Sequence, residues 1–136
     1  MIHLRYASAY IDRVFAERDE IALYQIVGAI SAERQLSEEF WLFCRLQEWT
    51  GSTRSGVWQY YEGLPEETFR RVSAGLEQRG LNKIADQYRF GKSFWDTPDQ
   101  AAGLDRWLDD HGQDILDAAF GMIADHLDEL KYACPV

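Results

Sequence analysis

The 136-residue chain has only two cysteines, three prolines and three histidines. Cys44 lies inside the apolar run FWLFCRL and Cys134 stands near the end, so no paired spacing supports a disulfide framework. Reduced thiols in a cytoplasmic protein are the expectation. Neither a secretory leader nor a membrane span is expected from the first thirty residues, which carry Arg5, Asp12, Arg13, Glu17, Arg18, Asp19 and Glu20. Also absent are a Walker loop, a G-x-S-x-G elbow, a Gly-rich dinucleotide fingerprint and an H-E-x-x-H pair. Cys44, in the most apolar segment, is poorly placed to become a thiolate. These absences argue against nucleotide and nucleophilic chemistry, so the reading is a non-enzymatic protein with no cofactor and no metal. Basic residues are scarce too. A formal charge of −9 and a pI near 4.7 argue against direct nucleic-acid binding and against an anionic membrane, both of which are held through Lys and Arg.

What the chain does have is apolar and aromatic content, 46% and 14%, enough to bury one sizeable core over residues 1–136 as a single domain. Leu4, Ala7, Ile11 and Val14/Phe15 recur at helical steps before Arg18-Asp19. Asp19 then caps IALYQIVGAI, whose β-branched residues would also suit a strand. No other segment alternates to give a strand a partner, so helix is preferred. Ser37 caps a helix carrying Phe40, Trp41, Leu42, Phe43, Cys44, Leu46 and Trp49. With almost no polar face, that helix (37–49) is expected at the centre of the fold. After the loop Gly51–Gly56, Pro65 sits at the first position of a helix with Phe69, Val72 and Leu76 buried, and Gly80 is its left-handed stop. Leu81, Ile84, Ala85 and Tyr88 mark a further helix ending at Gly91. Thr97 and Gln100 form a capping box for a helix reaching Gly112, and a last continuous helix runs from Asp114 to about Tyr132. The expected architecture is all-α, a bundle of about six or seven helices.

Carboxylate pairs are common, but Glu38-Glu39 and Glu66-Glu67 fall where helices begin and are explained by the helix dipole. His111 reads as a cap-side histidine and His126 as a partly buried one. The charge distribution is more informative. Residues 1–95 hold 13 acidic and 12 basic side chains, whereas residues 96–136 hold 10 and 2. Asp105, Asp109 and Asp110 lie on the penultimate helix, and Asp114, Asp117, Asp125, Asp128 and Glu129 on the last, near one face and away from its apolar stripe. A surface meant only for solubility would intersperse Lys and Arg. The nineteen residues of one continuous helix span roughly 28 Å and carry the last five of these acids. That is about one charge per 6 Å, against about one per 1.7 Å for duplex DNA. The second helix, or a homodimer, would be needed to match it.

A second feature is GVWQYYEGLPEETF, Gly56 to Phe69. Val57, Tyr60 and Tyr61 are expected to anchor a tight turn on the aromatic helix, with Gln59 bonding loop backbone. Gly56, Gln59, Tyr60 and Tyr61, followed by Leu76, Gly80-Leu81 and Ile84-Ala85, resemble a motif of a small bacterial DNA-mimic protein family, roughly N-N-G-G-F-x-Q-[FY]-[FY], a helix, a glycine turn and a second helix. Thr53, Arg54, Ser55 and Val57 depart from it. The resemblance implies an all-helical fold, homodimerisation, and an acidic surface that occupies a DNA-binding regulator. The expectation is therefore an acidic module for a basic protein, a DNA mimic or DNA-binding regulator's ligand. The alternatives are an immunity or antitoxin-type inhibitor of a basic toxin, and a small-ligand or hydrolytic protein using Tyr60 and Tyr61.

Overall fold

A computed structural model describes residues 6–131, so Leu4, Tyr132 and Cys134 lie outside the described residues. The fold is all-α. In chain order the helices are α1 (Ser8–Ala16), α2 (Glu20–Ser31), α3 (Glu38–Gly51), α4 (Trp58–Glu62), α5 (Glu66–Gln78), α6 (Asn82–Phe94), α7 (Pro98–Asp110), α8 (Gly112–Ile123) and α9 (Asp128–Lys131). Short 3₁₀ turns occupy Ser52–Arg54 and Ala124–His126. The count of nine among the described residues exceeds six or seven because two helices are only four and five residues long and the last predicted helix is interrupted.

The chain divides into two compact units, one of residues 1–47 with 119–136, the other of residues 48–118. Both borders fall inside helices, in α3 and α8, and no linker marks them.

In the first unit, Asp19 caps α2 by accepting from the Ala22 N–H at 3.1 Å. The preceding residue, Arg18, takes the left-handed conformation at φ 54° and turns the chain between α1 and α2. IALYQIVGAI is helical, with Leu23, Ile26, Val27 and Ile30 buried. Phe120 is the hub: its ring meets Phe43 edge-on at 5.4 Å and Phe15 at 5.5 Å, and the Arg18 guanidinium lies 5.1 Å from its centre. Phe40, Leu42, Phe43, Cys44 and Leu46 of α3 are all buried, as its lack of a polar face requires.

In the second unit, α5 packs on α6, and α6 on α4 and α7. Pro65 precedes α5 as its N-cap, one position earlier than predicted, and Gly80 ends the segment at φ +73°. Thr97 is the N-cap of α7, but its side chain makes no cap hydrogen bond, so the predicted capping box is not formed and Pro98 supplies the start. Gly91 does not end α6, which continues to Phe94.

Ser73 on α5 is 9% exposed and its hydroxyl has no hydrogen-bond partner among the described residues. A buried unsatisfied hydroxyl costs about 1–3 kcal/mol, and alanine is the better helix former. Ser73→Ala is expected to stabilise the protein by about 1 kcal/mol, read as a higher urea midpoint at unchanged slope; an equal or lower midpoint contradicts this account.

Candidate functional site

Gly56 to Tyr61 forms a turn that is built inward. Gly56 has φ +103°, and a Cβ there would stand 2.6 Å from the Trp58 indole, so glycine is required on two counts. Val57 is fully buried, and its N–H donates to the Asp105 carboxylate at 2.9 Å. The Tyr60 and Tyr88 hydroxyls share a hydrogen bond of 2.7 Å, and the Tyr61 hydroxyl donates to the Tyr88 carbonyl at 2.7 Å. Trp49, at the end of α3, meets the Tyr88 ring edge-on at 5.2 Å, and Phe69 stacks on the same Tyr88 ring at 5.6 Å. Burial, with a smaller contribution from Tyr60, raises the Tyr61 phenol far above its ordinary value, so it stays protonated as a donor. The Tyr61 ring occupies the space a side chain at position 91 would fill: a Cβ on Gly91 would lie 2.2 Å from it.

One expectation about this turn is corrected. Gln59 is exposed and does not bond the loop backbone; Asp105 does that work through the Val57 N–H. Tyr61 is 2% exposed with its hydroxyl engaged, so the turn's interior is occupied by its own aromatic rings. Sequence reasoning missed Tyr88 and Gly91 as members of this cluster. The available signal was the run RFGKSFW, which has no helix breaker for three residues after Gly91.

The predicted acidic stripe does not lie on one continuous helix. Asp114 and Asp117 are on α8, Asp125 is in the 3₁₀ turn that interrupts it, and Asp128 and Glu129 begin α9. The eight acids divide between the two units. In the second unit, Asp109, Asp110, Asp114 and Asp117 are exposed, while Asp105 is half-buried and committed to Val57. Asp117 accepts from the Gln113 amide at 3.0 Å. Among the described residues Asp109, Asp110 and Asp114 have no basic partner, and the last turn of α7 contains no basic residue.

His111 ends α7. Its ring stacks on Trp107 with centroids 4.3 Å apart, and its Nδ1 lies 2.8 Å from the Trp107 carbonyl oxygen. These two rings line a groove of about 850 Å³ whose other walls are Leu81, Lys83, Ile84 and Gln87 of the α6 start and Asp114, Ile115 and Ala118 of α8. The groove was not foreseen, because its walls come from three separate segments.

In the first unit Asp125 and Asp128 are exposed, but Glu129 turns inward. Its carboxylate accepts from the Ser37 N–H at 2.9 Å and from the Ser37 hydroxyl, and it lies 3.1 Å from His126 Nδ1. His126 Nε2 lies 3.6 Å from Glu39. Partial burial pushes the Glu129 carboxyl up, but the Ser37 donors and His126 together outweigh it and hold the group below its ordinary 4.5. Glu129 is thus an internal tie between α9 and the start of α3. Comparison with family models, with curated proteins and with solved structures gives no match.

Two outcomes are expected. Gly91→Ala forces the Tyr61 ring off α6 and lowers stability by about 1–3 kcal/mol, the usual cost of overpacking, with a loss of near-ultraviolet tyrosine circular dichroism; unchanged stability contradicts the packing. For Glu129, a depressed folded pKa means that its contribution is fully present above the unfolded value near 4.5 and is lost as pH falls through the folded one. Glu129→Gln should therefore flatten the acid limb of stability against pH below about 4.5; an acid limb identical to that of the wild type rules this out.

Proposed function

We propose that the protein is a non-enzymatic, cytoplasmic protein-binding module whose acidic surface at the junction of α7 and α8 receives a basic protein. The observation that carries this reading is the position of Asp109 and Asp110. They occupy the last turn of α7, the negative end of the helix dipole, where folding favours cations. They lie close in sequence to Asp114 and have no basic partner among the described residues. Repulsion and dipole both disfavour this arrangement in the isolated chain. A basic partner removes both costs.

The narrower form of the reading is a DNA mimic, in which the partner is a DNA-binding protein or regulator and the carboxylates occupy its phosphate-binding positions. The resemblance at Gly56–Phe90 supports this form over an inhibitor of a basic toxin. The small-ligand reading at Tyr60 and Tyr61 has less support, since both hydroxyls are used inside the fold.

The test is capture of partners from source-cell lysate at low salt, with duplex DNA as competitor, using wild type and the Asp109→Lys/Asp110→Lys variant. Wild type is expected to retain a basic DNA-binding protein that duplex DNA displaces, and the variant to lose it. In parallel, Asp109→Asn/Asp110→Asn should match or exceed wild type in urea stability while binding more weakly. Equal retention by wild type and charge-reversed protein overturns the proposal.

A further inference from the structure

The groove lined by Trp107 and His111 lies wholly within the unit of residues 48–118 and contains polar groups that the fold leaves unused. Lys83 on α6 and Asp114 on α8 both line it. Both are exposed, and among the described residues neither has an ion-pair partner, in the other or elsewhere. Asn82 and Gln87 line it too, and their carboxamides make no hydrogen bond among the described residues. Asp86, the other carboxylate of the lining, is already paired with Arg89 at 2.8 Å. The N-cap of α6 is Leu81, whose side chain caps nothing, so the positive end of the helix dipole adds to the Lys83 side. The rest of the lining is mainly apolar: Leu81, Trp107 and Ala118 are half-exposed, Ile84 and Ile115 buried. His111 stacks on Trp107 at 4.3 Å and donates from Nδ1 to the Trp107 carbonyl at 2.8 Å, which holds this wall in place. The volume, about 850 Å³, lies within the range of small-molecule sites, roughly 300–1,000 Å³.

One free cation and one free anion that share a cavity without meeting select an occupant carrying both signs. A purely basic or purely acidic ligand satisfies one of them and leaves the other facing a like charge. A zwitterion satisfies both, provided that its two charges are separated. Each carboxamide can donate and accept at once, as a peptide group does, and the apolar walls suit aliphatic side chains. We infer that the groove binds a short apolar peptide with free termini, a di- or tripeptide. Its carboxylate meets Lys83 at the start of α6, its ammonium meets Asp114 on α8, and its peptide groups pair with Asn82 and Gln87. Asp109 and Asp110 are not part of the lining, so this site is independent of the acidic surface they form and shares with it only Asp114.

The test titrates ¹⁵N-labelled protein at neutral pH with the tripeptide Leu-Ala-Leu, its N-acetylated form and its C-terminal amide. The free tripeptide is expected to shift the Trp107 indole N–H and the amides of Leu81, Lys83 and Ala118. Each blocked form, having lost one charge-assisted contact, should bind about tenfold more weakly. Two exposed-site variants then assign the ends. Lys83→Gln should weaken the free tripeptide about tenfold and leave the amide unaffected, whereas Asp114→Asn should weaken the free tripeptide equally and spare the acetylated form. A site that recognised only apolar bulk would show no such crossing. The inference is overturned if the three peptides bind within about twofold of one another, if either variant weakens all three alike, or if none of them shifts the Trp107 indole.

Discussion

Tyr61 reaches the backbone of α6 only because position 91 has no side chain. That single close approach sets the second unit. It brings the phenol to the Tyr88 carbonyl, orients α4 across α6, and lets Tyr60, Phe69 and Trp49 close around the Tyr88 ring. Val57, one residue before α4, is then carried to where its N–H meets Asp105, which links the turn to α7. The carboxylates at the far end of α7 inherit their position from this chain of contacts. Removing a buried donor's acceptor leaves it unpaired at a cost of about 1–3 kcal/mol, so Asp105 has a structural task in the fold.

Charge in this unit is segregated. On α5 and α6 the ions are matched: Arg70 and Lys92 approach Glu66, and Arg89 bridges Glu77 and Asp86. Each exposed pair of this kind adds at most about 1 kcal/mol, but together they leave those helices nearly neutral. Among the described residues the carboxylates of Asp109, Asp110 and Asp114 have no such ion pair. Because the same short unit builds both arrangements, the difference is a property of the junction and not of an acidic composition spread evenly over the surface.

Much of the fold was legible in the sequence wherever a local rule was sufficient. Asp19 caps α2, Gly80 is left-handed, and Ile11 and Val14 of α1, Phe40, Leu42, Phe43 and Leu46 of α3, Val72 and Leu76 of α5 and Leu104 and Leu108 of α7 are buried as read, whereas Ala7 is exposed and Phe69 and Trp107 are half-buried. The failures have physical causes. Gly91 reads as a stop because glycine commonly ends helices; its actual reason, room for Tyr61, depends on a residue thirty positions earlier. The stripe from Asp114 to Glu129 assumed an unbroken helix, yet the chain tightens into a 3₁₀ turn at Ala124–His126 with no glycine or proline to announce it. Glu129 was grouped with its neighbours by charge, whereas its partner Ser37 is ninety-two residues away, a separation that no periodicity reveals. The exposed acids of the junction were found from composition alone. The groove beside them was not, since its walls share no local pattern.

The borders of the two units carry a consequence for how the chain acquires its structure. The unit of residues 48–118 is continuous, whereas the other is assembled from segments on either side of it. Its hub, Phe120, and its tie, Glu129, both belong to the later segment, and their partners Phe15, Phe43 and Ser37 to the earlier. During synthesis the early helices emerge first but must wait, apolar faces exposed, until the last segment is made. The intervening unit can close on itself meanwhile and shorten the free loop between the waiting ends, lowering the entropy cost of joining them. The interval before that closure is when α2 and α3 are most open to misassociation.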